Sequence, residues 1–361
     1  MATAITGHFT GQLMRRAAVQ LQGPNHDEDQ TPASLLALFI LSGLIFLSVI
    51  ASIDYTYGGV VATLAAVEDS NPDIYVRIDN NNNNDHNLAK PYDPHDPKYT
   101  ATPTPKPITS KLRTTVKHLR NRAGFLSRFR GLSMYLSLHL ARGFLLAIIP
   151  VPSSSLVGQV FVQSVVGVLL SGGQIAWIHI VITEPSRKRF YQRIPSYRSW
   201  IRILPAVILE DFLAAAVFFL PMARAKTACA FNITPQNDNN LSDMYQCMAI
   251  TTIPVILAFL IAVPARVIFI RVAASMLPED QETIVPFDRS FGGKVRPELL
   301  GGNGTVGLLD AWKTFDWAGR VRFFKVLLKT IAMDMAVIVL AGIVLGGQIL
   351  YMMPKSNPVE Y

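Results

Sequence analysis

Long apolar runs without charged residues constrain the fold of this chain more than any other feature of its sequence. A helix needs about 20 apolar residues to cross the hydrocarbon core of a bilayer, which is about 30 Å thick. Five runs reach that length, namely residues 34–53, 156–183, 203–223, 246–265 and 335–354. Only the third of them contains acidic residues. We therefore expect an all-α fold, a polytopic transmembrane helical bundle.

A sixth run, residues 132–150, is a weaker candidate because it contains His139 and Arg142. A charge near the middle of a span costs about 2.5–3.5 kcal/mol on insertion scales. The alternative is an interfacial amphipathic helix. Counting the run gives about six spans with both termini lumenal, and omitting it gives five with a cytoplasmic amino terminus. Residues 57–67 are too short to cross, so they either lengthen the first span or lie at the interface.

The distribution of basic residues predicts the orientation of the spans, because short cytoplasmic loops are enriched in Lys and Arg. Residues 186–202 contain six basic residues and no acid, and residues 111–130 contain seven and no acid. Both stretches can face the cytoplasm only if residues 132–150 cross the membrane. This requirement favours six spans. Arg266 and Arg271, after the fifth span, continue the pattern.

The loop at residues 222–247 carries features of the opposite, lumenal side. Asn232 and Asn240 each begin an N-glycosylation acceptor sequence, which is used only in the lumen. Cys229 and Cys247 are the only cysteines, and a disulfide between them would be favoured in an oxidising compartment. We predict a glycoprotein of the endoplasmic reticulum or another endomembrane.

Composition agrees with a membrane protein and argues against other classes. Half of the residues are hydrophobic and 16% are charged, whereas soluble domains carry about 25% charged residues. The net charge is +8, and clusters of basic residues flank the apolar runs. We therefore expect the lipid bilayer as partner and no nucleic acid. Two cysteines exclude a four-cysteine zinc site, and we predict no metal and no cofactor.

The chain divides by composition into six parts. Residues 1–33 form a tail, 34–67 the first span with its extension, 68–131 a disordered and then basic cytoplasmic linker, and 132–272 a four-span core. Residues 330–361 form the last span and a tail. Residues 273–329 form a cytoplasmic loop, in which apolar residues from Leu308 to Leu327 recur at helical spacing. They predict an amphipathic helix on the membrane surface that runs into the last span. The alternative is a helix that packs on a soluble core, for which the sequence offers no other segment.

Acids inside the apolar runs are candidates for chemistry, because ionisable groups in a membrane are costly. Glu210 and Asp211 lie in the fourth run and Asp334 begins the last one, and Arg142 or His139 could pair with them. Consecutive helical residues point about 100° apart, so the first two cannot act as one acid pair. Either a buried proton donor or a structural ion pair explains them. Sequence signatures of diphosphate–magnesium sites, zinc proteases, serine hydrolases and kinases are absent from the chain.

Two segments, Val285-Pro-Phe-Asp-Arg-Ser-Phe-Gly-Gly-Lys-Val295 and Asp310-Ala-Trp-Lys-Thr-Phe-Asp-Trp-Ala-Gly-Arg320, carry a resemblance to known proteins. They resemble a family of fungal polytopic membrane proteins, some of which are labelled "ubiquitin carrier protein". Related multi-pass proteins accompany indole-diterpene pathways of the paxilline and aflatrem type. The resemblance covers roughly the last two-thirds of the chain, and it transfers no catalytic residue and no ubiquitin chemistry.

The resemblance implies a role in fungal secondary-metabolite biosynthesis. The leading interpretation is an accessory or scaffold protein that gathers membrane-bound biosynthetic enzymes or holds lipophilic intermediates at the bilayer. One alternative is an integral-membrane terpene cyclase that uses Glu210, Asp211 or Asp334 as the acid. The other is a transporter of a lipophilic product.

Overall fold

The computed structural model describes residues 33–69, 107–150, 155–186, 190–193, 195–230, 252–295 and 304–352. These residues are helical apart from their connections, and their β-type pairing is limited to an isolated bridge between Thr183 and Thr283. The all-α prediction is confirmed. The α-helices are α1 (Ala33–Ile53), α2 (Ala62–Val67), α3 (Leu112–Ala123), α4 (Leu132–Ile148), α5 (Leu156–Ile182), α6 (Tyr197–Ala230), α7 (Val263–Ser275), α8 (Leu308–Lys313) and α9 (Trp317–Met352).

Five helical stretches in the described residues are long and apolar enough to cross a membrane, as an integral membrane protein requires. They are Ser34–Val67, Phe125–Ile148, Leu156–Ile182, Thr252–Ser275 and Trp317–Met352. The second stretch contains most of the weaker predicted span. Predicted span 203–223 lies inside α6, a helix of 34 residues that is not among the five. The bundle therefore has five to six spans.

The chain continues as a helix beyond the end of α1. A π-helical segment, Asp54–Val61, joins α1 to α2, so residues 57–67 lengthen the first helical stretch. Val60, Val61 and Leu64 have no exposed surface. These side chains of the extension are therefore covered by protein.

The chain splits into two compact units, and the first consists of Met1–Ile50 with Met335–Tyr361. In this unit Ser42 Oγ donates a hydrogen bond of 2.9 Å to Gln348 Oε1. Its large apolar side chains face outward, and Leu41, Leu44 and Ile343 are all more than half exposed. Lipid can cover such side chains, whereas water would not favour so large an apolar surface.

The second unit, Ala51–Asp334, contains a hydrophobic core. Helix α2, the last turns of α5, helix α7 and the connection after it all contribute fully buried side chains, among them Leu64, Ile178 and Phe269. Helix α4 approaches α5 closely at Gly173, where a Cβ atom would lie 2.5 Å from Leu138 Cδ2.

Three segments that the basic residues assign to one side of the membrane meet at one end of this unit. Arg122, from the stretch before α4, pairs with Glu184 after α5 at 3.2 Å. The Glu184 amide donates to the carbonyl of Glu282, at 2.9 Å, after α7. His118 Nε2 lies 3.0 Å from the carbonyl oxygen of Ile284. These contacts agree with the predicted crossing of residues 132–150.

The predicted amphipathic helix on the membrane surface differs from the structure in two ways. The chain forms two helices, α8 and α9, and residues 314–316 separate them. Arg320 contacts this break, donating hydrogen bonds to the carbonyl oxygens of Trp312 at 2.8 Å and Phe315 at 2.9 Å. Phe315 and Phe323 are buried in the protein core. The sequence did not reveal the protein core that buries these rings, in which Phe315 contacts Phe323 edge-on and lies beside the Arg271 guanidinium.

Candidate functional site

Glu210 and Asp211 of α6 lie in a polar cluster between the helices. Arg266 Nη1 of α7 donates a 2.6 Å hydrogen bond to Glu210 Oε1. Arg142 Nη2 of α4 donates a 3.1 Å hydrogen bond to Asp211 Oδ1. The two acids therefore bind arginines on different helices, which agrees with side chains that point about 100° apart.

The pair of Arg142 and Asp211 also includes α5. The same Arg142 nitrogen donates to Gln163 Oε1 at 3.0 Å, so one guanidinium joins α4, α5 and α6. The Asp211 side chain packs against Gly167 of α5, where a Cβ atom would lie only 1.7 Å from Asp211 Oδ2. Only glycine leaves room for this carboxylate, which is 5% exposed.

Sequence reasoning found Arg142 as a partner for these acids and missed Arg266. Arg266 follows the fifth apolar run, and it resembled an ordinary basic flank. No local sequence pattern marks an arginine that pairs with an acid on another helix, because the two helices come together only in the folded protein. The other proposed partner, His139, instead contacts the Tyr135 ring edge-on, with 4.1 Å between ring centroids.

A cavity of about 120 Å³ lies within the polar cluster. Its lining includes the two ion pairs, Gln174 and Trp177. Pockets for drug-sized ligands span about 300–1,000 Å³, so this cavity is too small for a multi-ring lipophilic molecule.

Asp334, the third candidate acid, has a different environment. Its Oδ1 atom is buried and has no hydrogen-bond partner among the described residues. A Cβ atom at Gly58 would lie 2.8 Å from Asp54 Oδ1 and 3.6 Å from Thr330 Cγ2. Thr330 is one turn before Asp334 on α9, which brings Asp54 to the same region. The sequence analysis missed Asp54 because it falls just after the first apolar run.

An apolar cleft of about 650 Å³ lies between α5 and α6. Its lining is apolar except for one serine: Leu156, Val157, Val160, Phe161, Ser164, Val165, Val168, Leu169, Ile208, Phe212, Ala216 and Phe219. Val157 and Phe161 are 83% and 66% exposed. The cleft is therefore open, and its volume lies in the range of ligand pockets.

The two segments that carry the family resemblance meet around Arg271 of α7. The Arg271 guanidinium lies 4.9 Å from the ring centroid of Phe291 and 5.1 Å from that of Phe315. It donates to the carbonyl of Ala311 at 2.9 Å and to Thr314 Oγ1 at 3.0 Å. A cavity of about 280 Å³ adjoins this arginine, whose donors already have structural partners.

A turn at Asp288 borders this second cavity. Asp288 accepts hydrogen bonds from the amides of Ser290 at 2.9 Å and Gly292 at 2.8 Å. Burial raises the pKa of Asp288, but these bonds and the charge of Arg271 outweigh it, so the pKa lies below its ordinary value. Phe291 in the turn has a φ of 49°, a left-handed conformation that is uncommon for bulky residues.

The proposed lumenal sites lie outside the described residues. These sites are Asn232, Asn240, Cys247 and the side chain of Cys229. Glycosylation and the disulfide therefore stay predictions. Among the residues that are described, no group of three His, Cys, Asp or Glu side chains could hold a metal ion. Comparisons of the chain with protein-family models, curated proteins and solved structures give no match.

Proposed function

We propose that this protein is an accessory multi-pass protein of a fungal endomembrane, such as the endoplasmic reticulum, that serves secondary-metabolite biosynthesis of the indole-diterpene type. Its role is to hold a lipophilic intermediate in the bilayer, within reach of other membrane-bound enzymes. The observation that carries this proposal is the open apolar cleft between α5 and α6.

The cleft suits a lipophilic molecule in both size and lining. Its volume of about 650 Å³ is enough for a multi-ring terpenoid. The one polar side chain of its walls, Ser164, donates a 3.0 Å hydrogen bond to the carbonyl of Val160. Specificity would come from shape, with the rings of Phe161, Phe212 and Phe219 as the largest side chains of the walls. Exchange with the surrounding bilayer needs no gate, because Val157 and Phe161 are exposed.

The ion pairs support a holding role over acid catalysis at α6. An acid catalyst must present its carboxyl group to the substrate. One carboxylate oxygen of Glu210 and one of Asp211 instead bind an arginine, at 2.6 Å and 3.1 Å. The cavity beside them is also too small for a terpenoid.

The experiment narrows the cleft. Ala216→Phe adds a ring inside the cleft, and Ala147→Phe on α4, at an exposed position outside it, is the matched control. In a host that carries the reconstituted pathway, we expect Ala216→Phe to lower product formation severalfold at equal protein level, and Ala147→Phe to leave it unchanged. Equal yields from both variants would refute the proposal.

A membrane terpene cyclase is the second candidate. Glu210, Asp211 and Asp334 each have one buried carboxylate oxygen without a hydrogen-bond partner among the described residues, but Glu210 and Asp211 also bind arginines, so Asp334 is the acid that favours this alternative. Under this alternative, Asp334→Asn abolishes product and the linear prenylated precursor accumulates. Under the accessory role, Asp334→Asn leaves the product unchanged. Finished product retained inside the cells of the Ala216→Phe strain would point to transport instead.

A further inference from the structure

A basic face lies directly before the second candidate span. Helix α3 presents Arg113, Lys117 and Arg120 along one stripe, because residues spaced by three and four share a helix face. All three side chains are exposed, whereas Thr115 and Leu119 on the other face are buried. The stripe is thus turned away from the protein core.

Contacts on the buried side fix the orientation of this helix. Leu119 has no exposed surface. His118 Nε2 lies 3.0 Å from the carbonyl oxygen of Ile284, and Arg122 pairs with Glu184 at 3.2 Å. The basic stripe is preorganised, so a ligand that binds it does not have to order the helix first.

Two exposed apolar side chains adjoin the stripe. Phe125 and Leu126, at the start of the candidate span Phe125–Ile148, are 66% and 68% exposed. The Arg120 guanidinium lies 4.7 Å from the ring centroid of Phe125. A cation beside an exposed aromatic ring at the end of an apolar helix is suited to the boundary between headgroups and acyl chains.

We propose that the stripe Arg113–Lys117–Arg120 binds the headgroups of anionic phospholipids in the membrane that the protein spans, with Phe125 and Leu126 inserted among the acyl chains. Charge complementarity argues for this occupant, since residues 111–130 contain seven basic residues and no acid. Inorganic phosphate or an acidic peptide would satisfy the charges but leave both apolar side chains in water. The proposal does not depend on the function proposed above.

The experiment measures lipid binding to the full chain. Dioleoyl phosphatidylserine and dioleoyl phosphatidylcholine are titrated into detergent-purified protein, and bound lipids are counted by native mass spectrometry. The test variant is Arg113→Gln/Lys117→Gln, and the control variant is Lys294→Gln/Lys313→Gln, which removes two other exposed charges. All four side chains are exposed, so both variants should fold, and circular dichroism checks this.

Each basic residue near an anionic surface strengthens binding by about fivefold. We therefore expect the test variant to bind phosphatidylserine about 25-fold more weakly at low salt, with phosphatidylcholine binding unchanged. The control variant should bind both lipids as the unmodified protein does. Phe125→Ala/Leu126→Ala should weaken the binding of both lipids.

Three results would overturn the proposal. One is an equal loss of phosphatidylserine binding in the test and control variants. The second is displacement of phosphatidylserine by millimolar inorganic phosphate, which would indicate a simple anion site. The third is equally tight binding of a polyglutamate peptide, which would indicate an acidic protein partner.

Discussion

Replacement of Gly167 by alanine tests whether the ion pair between Arg142 and Asp211 organises the helices around it. An alanine Cβ at this position would lie 1.7 Å from Asp211 Oδ2 and 2.3 Å from Cγ. The first distance is half of the 3.4 Å at which ordinary contact begins. Because the backbone of α5 cannot retreat alone, the Asp211 carboxylate must leave Arg142.

The magnitude follows from two opposing effects. Loss of one partner from a buried ion pair costs about 3–5 kcal/mol, and alanine gains up to about 1 kcal/mol over glycine in a helix. Polar contacts between membrane helices contribute less, on average about 0.6 kcal/mol, since the separated helices find other partners. The first two figures leave a loss of about 2–4 kcal/mol. Because polar contacts are weaker in membranes, we expect Gly167→Ala to lower the free energy of unfolding by the lower end of this range, about 2 kcal/mol.

The assay is reversible unfolding in mixed detergent micelles, followed by circular dichroism. Gly143→Ala on α4 is the matched control, because no described atom lies within 4 Å of its built Cβ, and it should be neutral or slightly stabilising. In an Asp211→Ala background the clash is absent, so Gly167→Ala should then cost nothing further. If Gly167→Ala unfolds like Gly143→Ala, or if its cost persists without Asp211, the reasoning is refuted.

Three further predictions concern other parts of the molecule. Glu68→Ala should destabilise the protein by about 3 kcal/mol in thermal unfolding, because it leaves the buried Arg322, 3.8 Å from the Glu68 carboxylate, without its partner. It also removes the acceptor of the Ile108 and Thr109 amides, whereas the exposed Glu279→Ala should have little effect. The lowered pKa of Asp288 means that its contribution to stability is complete above about pH 4 and is lost as the pH falls through that lowered pKa. Melting curves between pH 7 and pH 3 should therefore show an acid-dependent component that Asp288→Asn removes, and an identical pH dependence in both proteins would contradict this. A glycosidase-sensitive mobility shift should disappear when Asn232→Gln and Asn240→Gln are combined, and no shift in the unmodified protein would contradict a lumenal loop.

The sequence predicted those parts of the structure that depend on the bilayer as solvent. The length of the apolar runs alone identified the all-α class. The basic loops were assigned to the same side of the membrane, and contacts such as Arg122–Glu184 agree with this assignment. The adjacency of Glu210 and Asp211 predicted that they do not act as one acid pair, and in the structure each forms an ion pair with a different arginine, although both line the same cavity.

Features that depend on the meeting of distant segments could not be predicted in this way. Arg266 and Arg271 both follow the fifth apolar run, yet one pairs with Glu210 and the other is buried between aromatic rings. The burial of Phe315 and Phe323 likewise required a protein surface that no local pattern indicated. An apolar face at helical spacing shows that something covers it, but the covering partner, lipid or protein, is set by the fold.

The polar groups between the helices have a physical role that needs no chemistry. Lipid is as apolar as leucine, so apolar contacts alone specify helix partners weakly, and polar contacts between helices add specificity. Arg142 joins α4, α5 and α6, and Arg266 joins α6 and α7. A different arrangement of the helices would separate an arginine from its acid and leave the acid unpaired in the membrane. The ion pairs therefore disfavour other arrangements. A function for this protein is therefore better sought on surfaces that the fold leaves open, namely the apolar cleft between α5 and α6 and the basic stripe of α3, than in the acids that first attract notice in the sequence.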